Sequence, residues 1–142
     1  MKTLTELLDE KGHDCATIAP DASALEAAQA MAEKGIGSLL VMEDGELKGL
    51  ISERDITYKL VAAGGSPERT PVRDIMSSHI LCVGPDKTVD ECMALMTDKR
   101  VRHLPVTHDG RIVGVISIGD AVKAVIADQQ FIIEQLETYI TS

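Results

Sequence analysis

Apolar positions change period along the chain, and each change marks an element. Leu4, Leu7 and Leu8 recur at helical spacing, with Thr3 and Glu6 in the Ser/Thr-x-x-Glu relation that caps a helix start. The pattern predicts a short helix over 2–12, stopped by Gly12. Cys15 to Ile18 suits a short strand, closed by Pro20-Asp21. Ser23 and Glu26 repeat the capping spacing and open an Ala-rich helix to about Lys34, with Ala24, Ala27, Ala28 and Met31 on one side and Gly35 at its end. Ser38 to Met42 has the length and composition of a buried strand. Asp44-Gly45 is a two-residue hairpin signal, and Leu47 to Ile51 is the returning strand. From Ser52 a helix runs to about Ala62, and residues 64–71 (GGSPERTP) read as a connector.

Beyond the connector the pattern begins again. Shifting the first half by 65 residues places 20–55 on 85–120 without a gap, and 13 of the 36 pairs are identical. Average residue usage would give about two. The identities include the Asp-Gly turns (44–45 and 109–110) and the turns Gly49-Leu50-Ile51-Ser52-Glu53-Arg54-Asp55 and Gly114-Val115-Ile116-Ser117-Ile118-Gly119-Asp120. This is an internal duplication. Each unit reads strand, helix, strand, hairpin turn, strand, helix, and one copy alone is marginal for stability. The expected partition is 1–63 for the first repeat with its N-terminal helix, 64–71 for the connector, 72–127 for the second repeat and 128–142 for a helical extension. In that extension Ile133, Leu136, Tyr139 and Ile140 continue an apolar stripe suited to a partner chain.

Composition narrows the function. Phe131, Tyr58 and Tyr139 are the only aromatics, so the core must be aliphatic. The formal net charge of −9 argues against a basic face for duplex nucleic acid, and the scarcity of aromatics argues against stacking on single strands. No run approaches the roughly 18 apolar residues of a membrane span, and the N-terminus lacks a signal-peptide apolar segment. Cys15, Cys82 and Cys92 are odd in number and match no zinc or redox spacing, as expected of small apolar fillers in a reducing compartment. His13, His79, His103 and His108 lack metal-ligand spacing. No nucleophile elbow, dinucleotide fingerprint or Walker pattern occurs. The expectation is a cytoplasmic protein that is not an enzyme.

The recurring Ser-x-x-Asp turn has two meanings. Ser52 and Ser117 can cap the following helix, with Asp55 and Asp120 near its positive end. A carboxylate there can also accept hydrogen bonds from two vicinal ribose hydroxyls, and a helix N-terminus offers amides to phosphate. The copies differ around the turn. Arg54, beside Asp55, is a phosphate candidate, while the second copy has Gly119 there and carries Arg102 and His103 before its central strand.

The segments GLISERDI (49–56) and RHLPVTHDGRIVGVISIGDAV (102–122) resemble the CBS-domain family, and the resemblance runs from about residue 7 to 127. It implies an α/β (α+β) fold: a tandem pair of β-α-β-β-α repeats packed with pseudo-two-fold symmetry, plus a C-terminal helical tail. It implies a sensor without a required cofactor, binding an adenosine ligand in the cleft between the repeats: AMP foremost, with ADP, ATP or NAD(H) as alternatives. Asp55, Asp120, Ser52 and Ser117 would serve the ribose, and Arg54, Arg102 and His103 the phosphate. Thr17, Ile18, Ser38, Leu39, Ile80, Cys82, Val101, Leu104 and Pro105 would line the pocket. Leu40 stands where the second copy has Pro105, so the pockets are unequal. A homodimer and a downstream protein partner are further expectations. The competing reading is an interaction protein with vestigial pockets, working through its tail.

Overall fold

Each Asp-Gly pair closes a hairpin. Asp44 and Gly45 have φ of 53° and 77°, and Asp109 and Gly110 have φ of 50° and 76°. Positive φ at both central residues matches the right-handed strand twist, which favours Asp-Gly over bulkier pairs. The first turn joins β2 (Ser38–Glu43) to β3 (Glu46–Ser52), and the second joins β4 (His103–His108) to β5 (Arg111–Ser117). Both hairpins carry a register shift one residue after the valine, at Val41/Met42 and Val106/Thr107. The computed structural model describes residues 2–141, without the side chains beyond Glu137. Tyr139 and Ile140, placed on the apolar stripe from the sequence, lie outside the described side chains.

The remaining elements are α1 (Leu4–Lys11), β1 (Thr17–Ile18), α2 (Ala24–Lys34), α3 (Glu53–Asp55) continuing as a π-helical turn (Ile56–Val61), α4 (Val72–Ile75), α5 (Val89–Lys99) and α6 (Ile118–Thr141). The chain is thus mixed α and β with two small sheets and a long C-terminal helix, as expected. β1 pairs parallel to β2. Its counterpart in the second repeat is a single parallel bridge, Val83 to Val106. The predicted caps at Thr3 and Ser23 form, each accepting the amide three residues on, and Thr88, the counterpart of Ser23, does the same. At α5 the Glu91 carboxylate also reaches back to Thr88, completing a capping box.

Packing divides the chain into two units, residues 15–80 and residues 1–14 with 81–142. This boundary differs from the one drawn on the repeat. The helix α1 precedes the first repeat in sequence, but Leu4, Leu7 and Leu8 belong to the apolar cluster of the second, with Val83, Val89, Cys92, Met96, Leu104, Val106 and Ile116. Likewise α4 precedes the second repeat, but Val72 and Ile75 join Ala24, Ala27, Met31, Leu39, Val41, Ile51 and Leu60 of the first.

The motif glycines explain this placement. A Cβ at Gly49 would meet Met76 Sδ at 2.5 Å and the Ser77 carbonyl at 2.9 Å. The Leu8 side chain leaves no room for a Cβ at Gly114. Ser77 exchanges both backbone hydrogen bonds with Leu50 at 2.9 Å. In the other unit, His13 Nδ1 contacts the Val113 carbonyl and its Nε2 contacts Asp9 Oδ1, each at 2.8 Å. Each leader segment therefore lies against β3 or β5 where a glycine leaves the strand bare.

Gly114→Ala is expected to cost about 1–3 kcal/mol by overpacking, read as a lower urea midpoint at unchanged m-value. Leu8→Ala alone should cost about 2–5 kcal/mol. Combined, the two should cost less than their sum, because the shortened side chain makes room for the new methyl. Strict additivity would show that the contact does not govern the placement of α1.

Candidate ligand site

The two Ser-x-x-Asp turns are built alike from the backbone upward. Ser38 faces Ser52 across the first hairpin, and His103 faces Ser117 across the second. The helix that follows is tied to the start of the partner strand: Glu53 N donates to the Gly37 carbonyl at 3.0 Å, and Ile118 N donates to the Arg102 carbonyl at 2.8 Å. Each serine hydroxyl accepts the aspartate amide, at 3.3 Å for Asp55 and 3.1 Å for Asp120. Each aspartate Oδ2 accepts the serine amide at 2.9 Å. The helix-capping meaning of the motif is therefore realised in both copies.

The carboxylates differ in what remains of them. Asp55 is buried. Its Oδ2 also accepts the Ser52 hydroxyl at 3.2 Å, and its Oδ1 pairs with Lys59 at 3.0 Å. Lys59 in turn donates to the Ile75 carbonyl at 3.2 Å. The Asp120 side chain is more open, at 26% exposure against 10% for Asp55. Lys11 binds its Oδ2 at 2.6 Å and also donates to the Val115 carbonyl at 2.8 Å. The Lys11 ammonium and the Ser117 amide share Oδ2 of Asp120, which leaves acceptor capacity on Oδ1. Burial works to raise the Asp120 carboxyl. The Lys11 hydrogen bond, the Ser117 amide and the Lys11 charge outweigh it and hold the group below its ordinary value of 3.8.

The other candidates fall into groups. Arg54 lies over the Tyr58 ring, 5.3 Å from its centre, and Tyr58 is exposed. Arg102 is exposed and His103 half-buried at the start of β4. Leu39 and Leu104 are 1% and 0% exposed within the two apolar cores. Their side chains support the strands from beneath and form no open wall, because alternate strand positions point to opposite faces. Pro105 is buried, Thr17 is exposed, and Ile18, Ile80, Cys82 and Val101 are half-buried. A hollow of about 420 Å³ lies beside the first turn, lined by residues that include Met31, Ile36, Gly37, Glu53 and Thr57. Burial pushes the Cys82 thiol up and the Cys92 thiol up to about 11, so neither is an activated nucleophile. Among the described residues no cluster of His, Cys, Asp and Glu could hold a metal ion, and no helix is long and apolar enough to cross a membrane.

Two turns of this geometry, in two copies of one strand order, are matched by a known family model, the CBS domain, over residues 11–62 and again over 72–127. The chain belongs to the CBS-domain family. Its relatives include the CBS domain-containing protein CBSX3, mitochondrial, of Arabidopsis thaliana, 35% identical over 97% of this chain and 71% of that protein. A solved structure from Burkholderia ambifaria MC40-6, of a candidate signal-transduction protein with CBS domains, is 43% identical with a TM-score of 0.87, over 90% of this chain and 96% of that one. The CBS domain pair of protein MJ0100, solved with 5′-methylthioadenosine and S-adenosyl-L-methionine, shares the fold at 22% identity and a TM-score of 0.79, over 90% of this chain and 98% of that one. Within this CBS pair, the sequence reading missed Lys11, Lys59 and Tyr58. Lys59 was legible, four residues after Asp55 on a helix. The equivalent of Lys59 in the second CBS repeat is Ala124, so that repeat lacks a lysine four residues after its aspartate. Lys11 is 109 residues from Asp120, beyond any local pattern.

Acidification should expose the Lys11–Asp120 pair. The native carboxyl titrates below its unfolded value, so its stabilisation is complete above the ordinary 3.8 and is lost as pH falls through the native value. Asp120→Asn is expected to lower the unfolding temperature at neutral pH, and the gap to wild type should close toward about pH 2. A gap that stays constant across the range would mean that the native fold does not hold the charged carboxylate.

Proposed function

We propose that the chain is a cytoplasmic, non-enzymatic regulatory module. It binds an adenosine-containing ligand at its Ser-x-x-Asp turns, with Asp120 as the principal acceptor for the ribose hydroxyls. The observation that carries this reading is the contrast between the carboxylates: Asp55 is buried with its lysine and its serine on different oxygens, and Asp120 is more exposed with its lysine and its serine amide together on Oδ2. A ribose diol needs acceptor positions that are not already filled. Membership of the CBS family supports an adenosine ligand. So does the occurrence of two adenosine derivatives in a protein of the same fold.

On this reading Ser117 orients Asp120, the backbone around Leu104 and Pro105 meets the base, and Val101 and Cys82 flank it. Arg102 and His103 lie toward the phosphate. Asp55 and Ser52, with Arg54, Ser38, Thr17, Ile18 and Ile80, form a second half-site of lower affinity. AMP is the foremost ligand, with ATP or NAD(H) as alternatives. An unidentified protein on another chain receives the signal.

Thermal unfolding of nucleotide-stripped protein with AMP, ADP, ATP, NAD, NADH and S-adenosylmethionine tests the proposal. Ligand at about 100 times its dissociation constant adds about 2.7 kcal/mol, a rise on the order of 5–10 °C for this chain. Asp120→Asn should abolish the rise and Asp55→Asn should leave most of it. Equal losses would sink the ranking of the two turns, and no rise with any ligand would sink the function.

A second reading has its own observation. Phe131, Ile132, Ile133 and Leu136 on α6 are 62%, 56%, 52% and 56% exposed. Such a stripe suits a homodimer held by the tail, with or without occupied pockets. Light scattering on a chain ending at Ala127 should then report a monomer where the full chain is a dimer, and an unchanged mass would remove the tail from the argument.

A further inference from the structure

The Lys11 ammonium stands where a ligand's ribose would arrive, and it comes from a segment outside the turn. In the first repeat, the lysine on Asp55 is four residues away on the same helix and takes the oxygen that the serine leaves. In the second, Lys11 crosses from the end of α1 to the oxygen that already holds the Ser117 amide. The pair is only partly covered, with Lys11 at 35% and Asp120 at 26% side-chain exposure. Lys11 is also tied to the Val115 carbonyl, so the ammonium keeps one anchor when its hold on Asp120 loosens. A lysine is a compact cation on a flexible stem, able to turn toward a new anion without moving the helix that carries it.

We propose that Lys11 is the specificity-determining cation of the Asp120 site. When a ribose diol occupies the carboxylate, the ammonium transfers from Asp120 to a phosphate on the same ligand, so that the site selects phosphorylated over uncharged nucleosides. The proposal rests on the reading of Asp120 as ribose acceptor and adds what that reading leaves open, the charge of the ligand. A neutral nucleoside meets the open oxygen of the carboxylate and offers the ammonium no new partner. A phosphorylated one supplies a charge-assisted hydrogen bond in exchange. A sulfonium-bearing nucleoside would bring a second cation to the same place. The sequence candidates for phosphate are Arg54, beside Asp55, and Arg102 and His103, at the start of the strand that faces Ser117. Lys11 is bound to Asp120, and it lies on the leader helix.

Titration calorimetry with AMP and with adenosine, on the full chain, tests the assignment. Wild type should prefer AMP by about tenfold or more, the worth of one charge-assisted bond. Lys11→Gln should bring the two ligands within about threefold by weakening AMP alone, and Lys11→Arg should keep the preference. Asp120→Asn should weaken both ligands by the same factor. If Lys11→Gln weakens both ligands equally, the lysine only positions Asp120. If it strengthens both, the lysine is a plug. If it leaves the preference intact, another cation selects. Each of these overturns the proposal and leaves the Asp120 reading standing. Wild type binding both ligands equally does the same. Wild type binding neither ligand would overturn the Asp120 reading and this proposal together.

Discussion

The missing side chain at Gly49 and Gly114 is the constraint on which most of the structure depends. At both places a neighbouring segment occupies the space a Cβ would need, Met76 with Ser77 in one unit and Leu8 in the other. The covering segments are α4 and α1, each leading into one repeat and packing on the strands of the other. Leu4, Leu7 and Leu8 are almost wholly buried by this, each contributing about 1.5–3 kcal/mol of apolar transfer. Because α1 is seated there, its last residue, Lys11, arrives at Asp120. The chemistry of the second turn thus follows from a packing requirement one strand residue away from Val115.

Duplication supplied two turns with one geometry, and what surrounds them has separated their roles. The helix after the first turn carries Lys59, and the pair it forms leaves Asp55 buried with both carboxylate oxygens engaged. That helix also departs into a π-helical turn over Ile56–Val61, a rarity often found near functional positions, whereas its counterpart in the second repeat continues as the long α6. The second turn has Ala124 in place of Lys59 and depends on the leader for its cation. Two positions that began as equals therefore differ in exposure, charge partner and spare hydrogen-bonding capacity.

Much of this was legible in the sequence, for definable reasons. Hairpins, caps and strand order depend on residues close in sequence, and Asp44-Gly45, Thr3 with Glu6, and Ser23 with Glu26 all read correctly. The turns stood out because they recur at one offset. The leader exchange also left a trace: Leu4, Glu6, Leu7 and Leu8 match Val72, Asp74, Ile75 and Met76 at an offset of 68. The change of offset from 65 hid it. The family resemblance put Leu39 and Leu104 at the pocket, and strand alternation turns their side chains into the cores. Lys11 was not legible, since only the fold brings it within 2.6 Å of Asp120.

The exchange of leaders also bears on the order in which the chain acquires structure during synthesis. Residues 15–80 form a unit from continuous chain and can close once they have left the ribosome. The other unit joins residues 1–14 to residues 81–142, on either side of the first. The leucines of α1 are made before the strands that cover them, which lie about a hundred residues downstream, a closure whose entropic cost rises with the intervening length. The helix α1 is therefore seated late, and its leucines remain in water until the second repeat has been translated.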